Sequence, residues 1–442
     1  MKTLASPHLA ACLLLVSLLG CRPAIQPSEE SAPGHRFKAT SDPVISSPIA
    51  HDFDGDGRLE IAVGSWDGYF YLLDARLDDL DGWPKYRAQG FFSSPALGDM
   101  DGDGVPEIMV GSEQGQVFAW TFQGNDVEGY PVDLGYPLWA SPTVLADPAI
   151  AIGSLQQMHV LDSRGQPLPG WPQPMQGWPV ATVAYAAWGG DDALLAVTTL
   201  TPGDPSRGWL YAWQADGRLV PGFPSEWSKD SDSSPALVDF DGDGQPWMVA
   251  GDDDGWLHVV NSAGRERAGF PVRTIGPKPG PTPTPHPPGG NIHSIEASPA
   301  VADLDGDGGL DIAVGSWDGR MYLWDDTGRP LAGWPVAVAD QIISSAALVD
   351  LDGDDRLDIL VGCKDGYVYG WTVEAVPLPG FPHHLGAPVF SSPWVGDLEG
   401  DGRADVVVGA NNGIHLLQDV GPWGRQAWPT FHRDAARTGA VP

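Results

Sequence analysis

Between residues 297 and 338 the apolar positions come in short runs, each stopped by Gly, Asp or Pro. Runs this short suit strands rather than helices. The pattern predicts a strand at residues 299–302, an acidic loop at 303–311 and a second strand at 312–315. A tight turn at Trp317-Asp318-Gly319, a third strand at 320–324 and a fourth at 336–338 complete the unit. An aromatic residue followed by proline marks the approach to the fourth strand, and the marker recurs along the chain. It stands at Trp83-Pro84, Tyr130-Pro131, Trp171-Pro172, Phe223-Pro224, Phe270-Pro271, Trp334-Pro335, Phe381-Pro382 and Trp428-Pro429. Several successive markers lie 47 residues apart, and the widest gap, 64, contains a Pro-rich stretch at 276–290 that reads as an inserted loop. Four antiparallel strands repeated at this period are the blades of a β-propeller, in which each sheet covers its neighbours' faces. The expectation is an all-β, eight-bladed β-propeller; a seven-bladed ring remains open if the irregular units between residues 132 and 224 merge. Because the aromatic–proline pair occurs in every unit, it is assigned to packing between sheets rather than to ligand binding.

The loop after the first strand carries the candidate chemistry. Asp52, Asp54, Asp56 and Glu60 occupy positions 1, 3, 5 and 9, with Arg58 at position 7 offering a backbone carbonyl. A hard cation such as calcium takes six to eight oxygen ligands and is served by this spacing. The same positions are filled by Asp99, Asp101, Asp103, Val105 and Glu107; by Asp303, Asp305, Asp307, Gly309 and Asp311; and by Asp350, Asp352, Asp354, Arg356 and Asp358. The last unit has Asp397, Glu399, Asp401, Arg403 and Asp405. The fifth has Asp239, Asp241, Asp243 and Gln245 but Trp247 at position 9, so it is expected to bind more weakly. Units three and four have no such loop. About five to six calcium sites are expected, each joining two strands.

Ser-Ser-Pro, then Asp-x-Asp-Gly-Asp-Gly, then Val-Gly-Ser with an Asp-Gly turn resembles the FG-GAP or VCBS repeat of integrin α-subunit propellers. The resemblance covers residues 44–429 and implies a propeller and calcium. It leaves the role open, because related repeats serve adhesion proteins, scaffolds and some polysaccharide lyases.

Composition and charge narrow the partners. A net charge of −34 repels nucleic acids and anionic membrane surfaces, which favours divalent cations as counterions. Residues 1–20 read as a signal peptide, and Leu18-Leu19-Gly20-Cys21 resembles a bacterial lipobox with Cys21 as the lipidated residue. Residues 21–36 read as a flexible tether. The expected location is therefore the bacterial cell envelope, outside the cytoplasm, with membrane contact through the lipid alone. Cys363 is then the one cysteine left in the fold, and its apolar surroundings mark it as a buried side chain rather than a nucleophile.

None of G-x-S-x-G, H-E-x-x-H, a P-loop or C-x-x-C is present. The expected function is a calcium-stabilised binding, adhesion or scaffold module for a carbohydrate or protein ligand. The alternative is a lyase-like propeller enzyme acting on polysaccharide. Strand parity puts the acidic loops on one face of the ring and the strand two-to-three turns on the other. The irregular connections at residues 199–207 and 276–290 fall on that second face, as do Trp66, Asp67, Trp317 and Asp318, which are the candidate ligand contacts.

Overall fold

A computed structural model of the chain describes residues 34–146, 148–187, 193–201, 207–276 and 292–441. The described residues form eight sheets, each with four antiparallel blade strands, arranged as an eight-bladed propeller with no helix; Ala440–Val441 adds a parallel strand to the fifth. In blade 1 the strands are Ile49–His51, Glu60–Gly64, Tyr69–Leu73 and Lys85–Tyr86, paired in that order. The sixth unit has Ala300–Ala302, Asp311–Ser316, Arg320–Trp324 and Val336–Ala337, within two residues of the sequence expectation at every boundary. Units three and four each make a separate four-stranded blade, so the ring has eight members rather than seven.

The blades are locked by features already present in the repeat. The tryptophans of three markers reach the next blade: Trp83 Nε1 donates to the Phe122 carbonyl at 2.9 Å, Trp171 Nε1 to Ala215 at 3.0 Å and Trp334 Nε1 to Val373 at 2.7 Å. The expected packing role of the marker is therefore observed. In seven of the eight blades a glycine at or next to the end of the second strand allows the neighbouring blade to approach. A Cβ on Gly64 would lie 2.5 Å from Phe91 Cβ, and one on Gly315 would lie 2.2 Å from Ile342 Cγ2. Cys363 is buried in this layer, with Sγ near the carbonyls of Asp340 and Gln341, as expected of a structural thiol.

Closure of the ring departs from a simple eightfold reading. Blade 8 takes Trp394–Gly396, Arg403–Ala410 and Gly413–Pro422 from the end of the chain, and His35–Ala39 from its beginning supplies the fourth strand. His35 and Arg36, at the end of the expected tether, thus belong to a strand. The eighth aromatic–proline marker, Trp428-Pro429, is not a blade turn. Gln426–Trp428 pairs with the inner strand of blade 7, Ala347–Val349, instead. From there the chain passes around the inside of the ring. Backbone carbonyls of Pro429, Ala435, Ala436, Thr438 and Gly439 accept from Val395, Leu97, Val144, Tyr185 and Leu237, residues of blades 8, 2, 3, 4 and 5. Arg437 is fully buried and pins this segment. Its guanidinium donates to the carbonyls of Pro95, Ser47, Pro48 and Phe431 and to Thr430 Oγ1.

A second closure is made of hydroxyls. Ser47 N–H donates to Ser94 Oγ at 2.9 Å and Ser94 N–H to Ser141 Oγ at 2.9 Å. The series continues through Thr182, Ser234, Ser298 and Ser345 to Ser392, whose N–H donates back to Ser47 Oγ at 3.0 Å. One residue from each blade completes this belt, and each buried backbone amide in it is matched.

The acidic loops and the channel mouth

The acidic loops connect the first and second strands of their blades. Asp52 sits at the end of Ile49–His51, and its carboxylate shapes the loop by accepting from Gly55 N–H at 2.7 Å and Gly57 N–H at 3.0 Å. Both glycines have positive φ, 76° and 86°, so the loop can fold back over its own first residue. Glu60, buried at the start of the second strand, accepts from Phe53 N–H at 2.9 Å. Asp52, Asp54 and Glu60 then have oxygens within 4.8 Å of one another, as do Asp99, Asp101 and Glu107; Asp303, Asp305 and Asp311; and Asp350, Asp352 and Asp358. The position-5 carboxylates lie outside these trios and accept the amide of position 7 instead: Asp56 from Arg58 at 2.8 Å, Asp103 from Val105 at 2.8 Å, Asp307 from Gly309 at 2.7 Å and Asp354 from Arg356 at 2.8 Å.

Gathering three carboxylates is costly without a counterion. Burial, followed by the charges of the neighbouring aspartates, pushes Glu60 and Glu107 up to about 7, against the pull of one backbone hydrogen bond each. Asp311 and Asp358 are likewise driven up to about 7. The donor set is all oxygen, anionic and convergent, which fits a hard divalent cation.

Two of the expected loops differ. In blade 5, Asp241 is already neutralised: Arg267 Nη1 lies 2.8 Å from Oδ1, and Trp247 Nε1 donates to Oδ2 at 2.9 Å. An arginine stands where a metal would, and the tryptophan at position 9 helps it. In blade 8, Glu399 is one methylene longer than aspartate and accepts from Gln418 Nε2 at 3.3 Å. Asp405 is tied down by the amides of Leu398 and Asp419, each at 3.0 Å. Among the described residues neither Asp239, Asp241 and Asp243 nor Asp397, Glu399, Asp401 and Asp405 make a converging trio, whereas the loops of blades 1, 2, 6 and 7 do.

On the opposite face a cavity of about 200 Å³ opens at the channel. The hydroxyl belt lines its lower wall and Phe431 of the inner C-terminal segment closes it below, so it is a blind pocket rather than a tunnel. Two residues before each hydroxyl, six blades place an apolar side chain on the wall: Ile45, Phe92, Trp139, Val180, Ile343 and Phe390. Blades 5 and 6 place Asp232 and Glu296 there. Trp66 and Trp317, from the strand two-to-three turns of blades 1 and 6, complete the rim. The sequence expectation thus brought two tryptophans to the cavity. Their neighbours Asp67 and Asp318 lie outside the cavity lining. Asp67 accepts from Tyr71 Oη at 3.0 Å and from Tyr69 N–H at 3.0 Å, and buried Asp318 accepts from Tyr322 Oη at 2.5 Å. Both hold their turns in shape. The irregular connection after the second strand of blade 4 contributes Leu200 to the wall. Residues 202–206 and 277–291, the signal segment and Cys21 lie outside the described residues.

Comparison with known proteins agrees with this architecture. The FG-GAP-like repeat family matches residues 52–110 and 303–361. These stretches hold the acidic loops of blades 1, 2, 6 and 7, the same four that gather three carboxylates. The chain therefore carries FG-GAP-like repeats within a β-propeller. No curated protein sequence matches it. Among solved structures, Saccharomyces cerevisiae Sqt1 is similar at 13% identity and a TM-score of 0.59, covering 87% of this chain and 97% of that one. A europium-containing methanol dehydrogenase is similar at 15% identity and a TM-score of 0.56, with 86% and 85% covered. The Dos1 propeller is similar at 12% identity and a TM-score of 0.55, with 89% and 95% covered. At these identities the likeness is one of fold alone.

Proposed function

We propose that the protein is a calcium-stabilised binding propeller that captures its ligand in the blind cavity on the face opposite the acidic loops. The observation that carries this reading is the cavity itself: a concave, mostly apolar wall with placed polar groups on a rigid ring. Calcium in the loops of blades 1, 2, 6 and 7 ties the first strand of each blade to the second and leaves the other face free. The expected lipid on Cys21 would hold the ring at the bacterial envelope surface, where carbohydrate and protein ligands meet it. Retention of wild type in the membrane fraction and release of Cys21→Ser would test the anchor.

The direct test is a screen of the calcium-loaded protein against glycans and surface-protein peptides, followed by Trp66→Ala. Trp66 is only part-buried, so its removal should spare the fold and weaken the ligand found at least tenfold. Binding that Trp66→Ala leaves unchanged, but that a substitution at an acidic loop abolishes without altering melting, would move the site to the other face. The alternative of a polysaccharide-acting enzyme has one observation in its favour. Asp232 and Glu296 are adjacent carboxylates held above the usual range, a property of acid–base pairs. New reducing ends or unsaturated products from acidic polysaccharides, absent with Glu296→Gln, would decide for it.

A further inference from the structure

The cavity wall is chemically lopsided. Asp232 and Glu296 stand side by side where the other six blades carry apolar residues. Asp253, in the strand two-to-three turn of blade 5, acts electrostatically on both, and Asp230 acts on Asp232. Among the described residues one cation acts on this group: Lys364, whose Nζ donates to Gln341 Oε1 at 3.2 Å and whose charge reaches Glu296. Four acidic side chains beside one ammonium bias this side of the cavity toward a cationic ligand. Moreover, Asp232 Oδ1 is buried without a hydrogen-bond partner among the described residues. A buried carboxylate oxygen without a partner is costly, and a positively charged ligand group would relieve that cost. In ring order, blades 1 and 2 stand across the channel from blades 5 and 6, so Trp66 and Phe92 face the carboxylates. Aromatic faces attract organic cations and pack on their apolar stems.

Resting on the binding reading above, we propose that the cavity takes an organic cation, an ammonium or guanidinium on an apolar stem. Asp232 and Glu296 receive the charged head, and Trp66, Phe92 and Trp139 hold the stem. A bare divalent ion fits poorly, because it needs six to eight oxygens and this wall is mostly apolar with two carboxylates. Among the described residues, trios of converging carboxylates lie in the acidic loops, on the far face. Burial and the Asp253 charge push Glu296 up to about 8, against the Trp317 hydrogen bond and Lys364. A cation arriving near neutral pH therefore displaces a proton.

The test uses the calcium-saturated protein at physiological salt, with calorimetry and tryptophan fluorescence as readouts. The probes are Nα-acetyl-lysine methylamide, Nα-acetyl-arginine methylamide, spermidine and the neutral isostere Nα-acetyl-norleucine methylamide. At least one cationic probe should bind with one-to-one stoichiometry, at least tenfold more tightly than the norleucine probe. Binding should release protons at pH 7 and strengthen between pH 6 and 9. Asp232→Asn and Glu296→Gln should each weaken it at least tenfold while melting at or above the wild-type temperature. Preference for the amino-acid probes would point to a polypeptide side chain, and preference for spermidine to a free polyamine; either supports the inference. Equal binding of the norleucine probe, or unchanged affinity in both carboxylate variants, would overturn it. A neutral glycan that binds and is lost in Trp66→Ala, with no cationic probe binding, would overturn this inference and leave the binding reading intact.

Discussion

Arg437→Met isolates the role of the inner C-terminal segment. The substitution keeps the apolar stem of a fully buried side chain and deletes its five donor contacts. Three of these reach carbonyls of blades 1 and 2, at 2.9 Å to Pro95, 3.1 Å to Ser47 and 3.3 Å to Pro48. Each carbonyl left buried without a donor costs about 1–3 kcal/mol. Part of the loss is returned because a buried charge no longer has to be desolvated. A net destabilisation of about 3–5 kcal/mol follows. A ring of this size unfolds with roughly 0.9 kcal/mol/K of entropy, so the melting temperature should fall by about 3–6 °C. Scanning calorimetry of wild type and variant in saturating calcium measures the shift. The variant should also lose protection from hydrogen exchange at Leu97, Val144, Tyr185 and Leu237, the amides that bond to this segment. Melting within 1 °C of wild type with unchanged exchange would show that the guanidinium does not pin the segment.

Gly315→Ala should cost about 1–3 kcal/mol in urea unfolding, because the new Cβ would sit 2.2 Å from Ile342 Cγ2 across the blade interface. The seam closing the ring is sensitive to acid. His35, His383 and His415 cluster where His35–Ala39 joins blade 8, and burial first, then neighbouring histidines, lowers all three, His415 to about 3. A histidine with a depressed folded pKa binds fewer protons folded than unfolded, so this seam is fully stable above the ordinary value of 6.5 and weakens as pH falls toward 3. Urea midpoints measured in saturating calcium should decline over that window, and less steeply in His35→Gln. In the acidic loops, Asp305→Ala should remove one calcium equivalent, whereas Asp241→Ala should leave stoichiometry unchanged, since Arg267 already occupies that loop; a calcium titration of each variant checks both.

The blade repeat was legible because its physical causes are local: strand length, Gly and Asp turns and the aromatic–proline marker all fall within one period. The acidic loops were legible for the same reason, since position 1 shapes the loop that brings positions 3 and 9 together. What needed the fold was anything reaching between repeats. Arg267 lies 26 residues from Asp241, and nothing in the loop itself reveals the neutralising partner. The marker Trp428-Pro429 looks like its seven counterparts, yet His35–Ala39 has already supplied the missing strand of blade 8. The hydroxyl belt was visible as Ser-Ser-Pro, but only ring geometry shows that each hydroxyl meets the next blade's amide. Asp232 and Glu296 carry a signal that could have been read: they replace an apolar residue two positions before the belt hydroxyl. The bonds from Tyr71 to Asp67 and from Tyr322 to Asp318 also needed the fold, since a turn carboxylate four residues before a strand tyrosine meets it only when the hairpin is formed.

The central claim is that calcium in four loops stabilises the ring that presents the cavity. Calorimetric titration of metal-stripped protein with calcium at neutral pH tests it most directly, with melting followed in parallel. The account predicts four equivalents bound, one lost with each of Asp54→Ala, Asp101→Ala, Asp305→Ala and Asp352→Ala, and a melting temperature that rises by many degrees as the sites fill. A melting transition indifferent to excess chelator, or saturation without heat of binding, would contradict it.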